Sequence, residues 1–233
     1  MFGNLVTAVH GPRHETQLAA LRCGKRGLLG RILAVTFAVA MNCLPLCAGD
    51  AAEQSLAHEL ARDGSRRNAV DKIAARGSSL VPLLLLWTCN PPTDVNEHDL
   101  NVGLAEAFGR LKAKEAIPFL IKNITLKRGA LDDTPNTWLK VAEVIERRLP
   151  AVVALIQIGP EASEAVMRAS WEKPMVDDEM LAAIFVVSRI PNVPGARQFL
   201  ASALGGANLR RFWAQEGIDF LDRSQPPGPA PGR

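Results

Sequence analysis

One stretch decides the fold of this chain: Ala105-Glu-Ala-Phe-Gly-Arg-Leu-Lys-Ala-Lys-Glu-Ala-Ile-Pro-Phe-Leu-Ile121. It predicts the end of one helix, a tight turn, and the beginning of a second helix that lies back on the first. Apolar residues recur at helical spacing before the turn at Leu100, Leu104, Phe108 and Leu111, and after it at Ile117, Leu120, Ile121 and Ile124. Two helices this short do not bury their apolar faces on each other alone, so the pattern predicts further helix pairs on either side.

Related sequence patterns recur elsewhere in the chain. Leu80-Val-Pro-Leu-Leu84 aligns with Ala116-Ile-Pro-Phe-Leu120, and the proline stands where the first N–H groups of a helix need no intrahelical partner. Further matches follow at Ile158-Gly-Pro-Glu-Ala162 and Ala196-Arg-Gln-Phe-Leu200. A spacing of about 35 residues is typical of repeated helix pairs, and the irregular segment 125–137 would supply one longer interval.

The same periodicity predicts an all-α chain with no convincing strand. Residues 53–222 are predicted to form a helical repeat domain, and the Pro- and Gly-rich residues 223–233 a disordered tail. The predicted helices span 53–62, 66–75, 80–89, 97–111, 114–124, 138–148, 151–158, 160–169, 180–190 and 195–204, with a last short helix or two at 208–213 and 218–221.

These repeats resemble HEAT repeats, in particular the short HEAT-like repeats first noticed in phycobilisome lyases. The resemblance covers roughly residues 66–205 and is carried by Phe108-Gly109, Leu111, Ala116-Ile-Pro-Phe-Leu120 and Ile158-Gly-Pro-Glu-Ala162. Lys112-Ala113 stands where that family usually has Gly-Asp. The resemblance implies a short α-solenoid of antiparallel helix pairs. An irregular helical bundle is the alternative fold.

The first 49 residues have the order of a secretory signal peptide. A long basic region that ends at Arg31 precedes an apolar run at 32–41, and Pro45 and small residues follow it. An uncleaved membrane anchor remains an alternative, as does a lipoprotein processed at Cys47. We therefore expect a periplasmic or secreted protein that meets the membrane only if this segment is retained.

Composition limits the classes of function. The formal net charge is +3, but the basic excess lies in residues 1–49, so the remaining chain is nearly balanced and nucleic acid is not the expected partner. His58 and His98 are the only histidines after residue 49, and there is no Gly-rich phosphate loop or nucleophile elbow. We expect no catalytic residue, no cofactor and no metal. Cys89 is expected to be a buried small hydrophobe.

Candidate binding residues lie in and beside the irregular segment 125–137. This segment is too long for a simple turn between helices, and loops of such length are often functional. It combines charges of both signs with a large aromatic anchor at its exit, and a second tryptophan lies beside a loop at the edge of a later helix. The candidates are Lys127, Arg128, Asp132, Asp133, Trp138 and Trp171. A solvated loop, with the tryptophans packed beneath loops, is the alternative.

The sequence therefore predicts an exported, monomeric, non-catalytic scaffold that binds a protein or peptide. The resemblance to lyase repeats leaves open an enzyme or enzyme accessory of the chromophore-lyase kind, but export argues against it because such lyases act inside the cell. A structural role in envelope assembly is the third possibility.

Overall fold

The computed structural model describes residues 51–129, 145 and 147–224, in which helices are joined by turns and irregular segments. No strand occurs among them, so the predicted all-α class is confirmed. Two 3-10 turns, Gly77–Leu80 and Lys114–Ala116, precede the third and fifth helices. The α-helices are α1 (Ala51–Ala61), α2 (Asp63–Arg76), α3 (Val81–Cys89), α4 (Glu97–Leu111), α5 (Ile117–Lys122), α6 (Pro150–Ile158), α7 (Pro160–Glu172), α8 (Asp177–Arg189), α9 (Ala196–Ala203) and α10 (Asn208–Ser224).

Three predicted segments fall wholly or mostly outside the described residues. These are the signal segment 1–49, most of the helix at 138–148, and residues 225–233 of the tail. Within the described ranges, no helix combines the length and the apolarity needed to cross a bilayer.

The helices are arranged in two rows. In one row, α2, α4, α6, α8 and α10 pack side by side in that order, and α1 covers both α2 and α4. In the other row, α7 packs between α5 and α9, while α3 packs on α4. Each row buries its apolar faces against the other, and the core runs continuously from Leu56 to Leu221.

Two pairs of neighbouring helices in the first row, α8 with α10 and α2 with α4, run in the same direction. Asp177 at the start of α8 pairs with Arg210 at the start of α10 at 2.7 Å, and further along the rings of Phe185 and Trp213 meet edge to face at 5.8 Å. α2 and α4 are also parallel, because Arg66 faces Asp99 near their beginnings and Asp71 faces Arg110 farther along.

Consecutive helices at the C-terminal end run in opposite directions. Arg197 at the start of α9 forms an ion pair with Asp222 near the end of α10. At the other end of the pair, Arg211 Nε donates a hydrogen bond to the Leu204 carbonyl oxygen at 3.1 Å. α9 and α10 are therefore an antiparallel pair.

The prolines that were aligned in the sequence have the same structural position. Pro82 and Pro118 each stand in the first turn of a helix that directly follows a 3-10 turn. The aligned alanines Ala116, Ala162 and Ala196 lie at the beginnings of α5, α7 and α9, and all three are buried. Each of the aligned segments therefore lies where a helix begins.

Glycines allow close contacts between helices, one between α4 and α1 and one between α10 and α8. A Cβ at Gly103 of α4 would lie 2.6 Å from the Leu60 carbonyl oxygen of α1. A Cβ at Gly217 of α10 would lie 2.7 Å from Ser188 Cβ of α8. Both helix pairs thus pack closely at a glycine, where a side chain would hold the helices apart.

The last helix differs from the prediction of one or two short helices. α10 continues without a break from Asn208 to Ser224. The prediction treated Gly217 as part of an interruption, but this glycine lies inside the helix at its contact with Ser188. Ala214 and Ile218 on the same face are also buried, so tertiary packing stabilises a helix that local propensity alone would interrupt.

The prediction that Cys89 is buried is wrong, because the residue is exposed at the end of α3. The buried face of α3 consists of Val81, Leu84 and Trp87. Two residues beyond Trp87, the helical rotation carries a side chain to the opposite face, so Cys89 points away from the core.

Candidate functional site

The beginning of the irregular segment is attached to α4. The Arg128 guanidinium lies 2.8 Å from Glu106 Oε1, and the Arg128 backbone N–H donates to the Arg148 carbonyl oxygen at 2.8 Å. His98 Nε2 lies 3.1 Å from the Lys127 carbonyl oxygen. Because a carbonyl oxygen only accepts, this contact places the imidazole proton on Nε2. Residues 127 and 128 are therefore part of the packed structure.

The other predicted binding residues do not all gather here. Asp132, Asp133 and Trp138 lie outside the described residues. Trp171 belongs to the last turn of α7, where the prediction placed a break, and its side chain is 66% exposed. It does not line the groove beside Arg128.

A groove opens beside Arg128 across three helices of the first row. It has a volume of about 250 Å³, and we call it the α2–α4–α6 groove. Its polar lining consists of Arg67, Asp71, Glu106, Arg110, Arg128 and Gln157. Val70, Pro150, Val153 and Ala154 complete the lining, so charged groups surround a small apolar patch.

The position of α6 against α4 determines the depth of the groove. Gly109 of α4 has no side chain, so the backbone of α6 approaches it closely at Ala154. Ala154 and Val70 are buried, while Val153 is partly exposed in the groove. A larger residue at position 109 would push α6 outward and widen the groove.

Glu106 is the least exposed carboxylate of the groove, with a side chain that is 20% exposed. Burial raises the pKa of Glu106 above its ordinary value, while the guanidiniums of Arg128 and Arg66 act in the opposite direction. Its contact with Arg128 supplies the counter-charge that a partly buried carboxylate needs.

Arg66 supports this region from within the fold. Its side chain is only 4% exposed, and its Nε donates to the Leu60 carbonyl oxygen of α1 at 3.0 Å. One terminal nitrogen lies 2.8 Å from Asp63 and the other 3.9 Å from Asp99. The guanidinium therefore joins α1, α2 and α4 and holds a fixed positive charge behind Glu106.

The outer charges of the groove are held much less firmly. Asp71 and Arg110 are 3.9 Å apart, and their side chains are 59% and 62% exposed. Arg67 precedes Asp71 by one helical turn, is exposed, and forms no ion pair with any residue in the described ranges. An exposed pair at this distance contributes little stability, so these groups are available to a ligand.

A wider groove, with a volume of about 820 Å³, lies on the other side of Lys127. Asn96, His98, Asp99 and Asn123 are among its lining residues. Neither groove has the donor set of a metal centre, since no group of three His, Cys, Asp or Glu side chains is suitably placed in the part of the chain that the structure describes. The chemistry that the α2–α4–α6 groove offers is ion pairing and hydrogen bonding around an apolar floor.

Sequence reasoning identified Arg128 but missed Arg67, Asp71, Glu106 and Arg110. Each of these lies on the polar face of an ordinary amphipathic helix, where a solvated charge is the usual interpretation. Asp71 and Arg110 meet only because α2 and α4 lie side by side, and no local spacing in the sequence encodes that contact.

Comparison of the chain with protein-family models, with curated proteins and with solved structures finds no match. The function must therefore be inferred from the groove and the helices that form it.

Proposed function

We propose that this protein is an exported, non-catalytic scaffold of HEAT-like helix pairs that binds a segment of another protein in the α2–α4–α6 groove. The observation that carries this proposal is the set of outer charges, Arg67, Asp71 and Arg110, which stand exposed and weakly paired above a small apolar floor. Such a combination of unsatisfied charge and apolar surface is typical of interaction sites.

The two rows of helices support a solenoid of helix pairs. Within the first row, α2 is parallel to α4 and α8 is parallel to α10, as successive repeats would be. The outer face of α10 exposes three polar residues, Gln215, Glu216 and Asp219, and also the ring of Phe212, which is 54% exposed. The three polar residues agree with the polar outer face that the terminal helix of a repeat array requires for solubility.

The lining of the groove favours binding over nucleophilic catalysis. None of its lining residues is a Ser, Thr, Cys or His, and Glu106 is already paired with Arg128. Charges of both signs also favour a polypeptide over nucleic acid, which calls for a predominantly basic surface. Export remains an expectation from residues 1–49.

Capture experiments with the full chain test this proposal. The tagged protein is used to recover partners from periplasmic and membrane fractions, in parallel with a Val153→Arg variant that fills the groove. The matched control is Glu216→Arg, which places the same side chain on the exposed outer face of α10. We expect one partner to be recovered with the unchanged protein and the control and lost with the variant.

The melting temperature of each variant is measured alongside, because Val153 is partly buried. If Val153→Arg unfolds the protein, Gln157→Arg at the exposed side of the groove takes its place. Equal recovery with a folded groove variant would reject the groove as the binding site. A turnover by the purified protein that disappears with a groove substitution would reject the non-catalytic role.

A further inference from the structure

The charges of the α2–α4–α6 groove are uneven, with three guanidiniums and two carboxylates among the lining residues. Glu106 and Arg128 form the closer ion pair, at 2.8 Å, and this pair is partly buried. It satisfies one charge of each sign within the protein. The selectivity of the groove therefore depends on the remaining charges, those of Arg67, Asp71 and Arg110.

These three residues place one carboxylate beside two guanidiniums. Arg67 and Asp71 are one helical turn apart on α2, and Arg110 approaches Asp71 from α4 to within 3.9 Å. Residues separated by four positions lie on the same face of a helix. A single carboxylate leaves hydrogen-bond donors of the two guanidiniums unused, because each guanidinium has five N–H groups.

We propose that the partner segment presents a carboxylate, which binds between Arg67 and Arg110. This proposal rests on the proposed function, since it names the chemistry of the partner in the same groove. A guanidinium recognises a carboxylate through paired, charge-assisted hydrogen bonds. The carboxylate can belong to an Asp or Glu side chain or to a chain terminus, because both offer the same two oxygens.

The size of the groove agrees with this ligand. A volume of about 250 Å³ lies at the small end of ligand sites, so the groove holds a side chain or a chain end rather than a whole helix. Asp71 and Glu106 also face the groove, and they would repel a phosphate dianion or a polyanion more strongly than a single carboxylate. The mixed lining thus favours a polypeptide carboxylate over a phosphate.

Fluorescence polarisation with labelled peptide pools tests the proposal on the full chain. One pool of short peptides has Asp or Glu at a fixed central position, a second has Asn or Gln there, and a third has Lys or Arg. All three carry an amidated C-terminus, and a fourth pool repeats the amide-side-chain sequences with a free C-terminal carboxylate. The second pool therefore serves as the uncharged reference for the side-chain carboxylate of the first pool and for the terminal carboxylate of the fourth.

We expect the first pool, the fourth pool or both to bind at least about fivefold more tightly than the second, with an advantage that falls as salt is raised. The double variant Arg67→Glu, Arg110→Glu should abolish that preference, whereas Glu216→Arg on α10 should leave it unchanged. If only the first pool gains affinity, the carboxylate is a side chain; if only the fourth does, it is a chain terminus.

Equal binding of all pools, a preference for the basic pool, or the absence of binding to any pool would overturn the proposal. Inorganic phosphate that competes with the acidic peptides at equal concentration would also overturn it. Failure here is distinguishable from failure of the proposed function. A partner that is still captured through the groove after the double arginine substitution would leave the scaffold role intact while rejecting a carboxylate ligand.

Discussion

Gly109 of α4 lies against Ala154 of α6 so closely that no side chain fits between them. A Cβ at Gly109 would stand 2.7 Å from Ala154 Cα and 2.5 Å from Gln157 Oε1. Both neighbours line the α2–α4–α6 groove. This contact therefore couples the spacing of two helices in the row to the shape of the proposed binding site.

Gly109→Ala should lower the free energy of unfolding by about 1–3 kcal/mol, because the added methyl group forces α4 and α6 apart. Gly64→Ala is the matched control, since Gly64 is an exposed residue of α2 and a Cβ there has nothing within 4 Å. The control should be neutral or gain up to about 1 kcal/mol from its lower unfolded-state entropy. Chemical denaturation measures both, and equal effects of the two substitutions would contradict the close packing.

Glu106 and Arg128 should be energetically coupled. A double-mutant cycle with Glu106→Gln and Arg128→Ala should give an interaction free energy of about 1 kcal/mol, a modest value because the Arg128 side chain is 39% exposed. Arg128→Ala should destabilise the unchanged protein more than it destabilises the Glu106→Gln variant. In the unchanged protein, the substitution leaves a partly buried carboxylate without its counter-charge. Additive effects would show that the segment after α5 is not held by this pair.

The raised pKa of Glu106 predicts a pH dependence of stability. Above its ordinary value of 4.5, the folded protein retains a proton at Glu106 that the unfolded chain has lost. The contribution of Glu106 to the free energy of unfolding should therefore be greatest below pH 4.5. It should fall as the pH rises through the raised pKa of the folded protein. Denaturation from about pH 4 to about pH 7 should show this component in the unchanged protein and lose it in Glu106→Gln. A contribution of Glu106 that grows with pH would contradict the assignment.

The mature N-terminus is predicted to lie between Gly49 and Glu53. A cut there would remove the basic and apolar segment and leave nearly all of α1, which begins at Ala51. N-terminal sequencing or intact mass of exported protein measures the position. Protein recovered from membranes with residues 32–48 still attached would favour an anchor instead.

The helices were the most predictable part of this protein because local patterns determine them. α4 has the predicted bounds, and α3, α6 and α7, each with a proline in its first turn, begin within one residue of the predicted starts. α5 begins three residues after its predicted start, because the 3-10 turn Lys114–Ala116 precedes it. The continuity of α10 could not be predicted, because the low helix propensity of glycine suggests a break at Gly217. In the folded protein, Gly217 instead packs against Ser188 inside the helix. Tertiary contacts, absent from local periodicity, decided that case.

The candidate site was less predictable for a related reason. Arg128 could be predicted as a binding residue because it lies in an irregular segment. Its partner Glu106 lies within a regular helix and was not predicted. Arg67, Asp71 and Arg110 form a cluster only after α2 and α4 are placed side by side. A sequence pattern identifies which face of a helix is polar, whereas the identity of the facing residue depends on the register between helices.

Site-specific photo-crosslinking tests whether a protein partner binds in the α2–α4–α6 groove. A photoreactive phenylalanine analogue is placed at Gln157, at the exposed side of the groove, and separately at Glu216 on the outer face of α10, in the full chain within exporting cells. We expect a discrete crosslinked protein partner at position 157 that is absent at position 216 and is lost when Val153→Arg is added. The same crosslinked species at both positions, or none at position 157 from folded and exported protein, would contradict it.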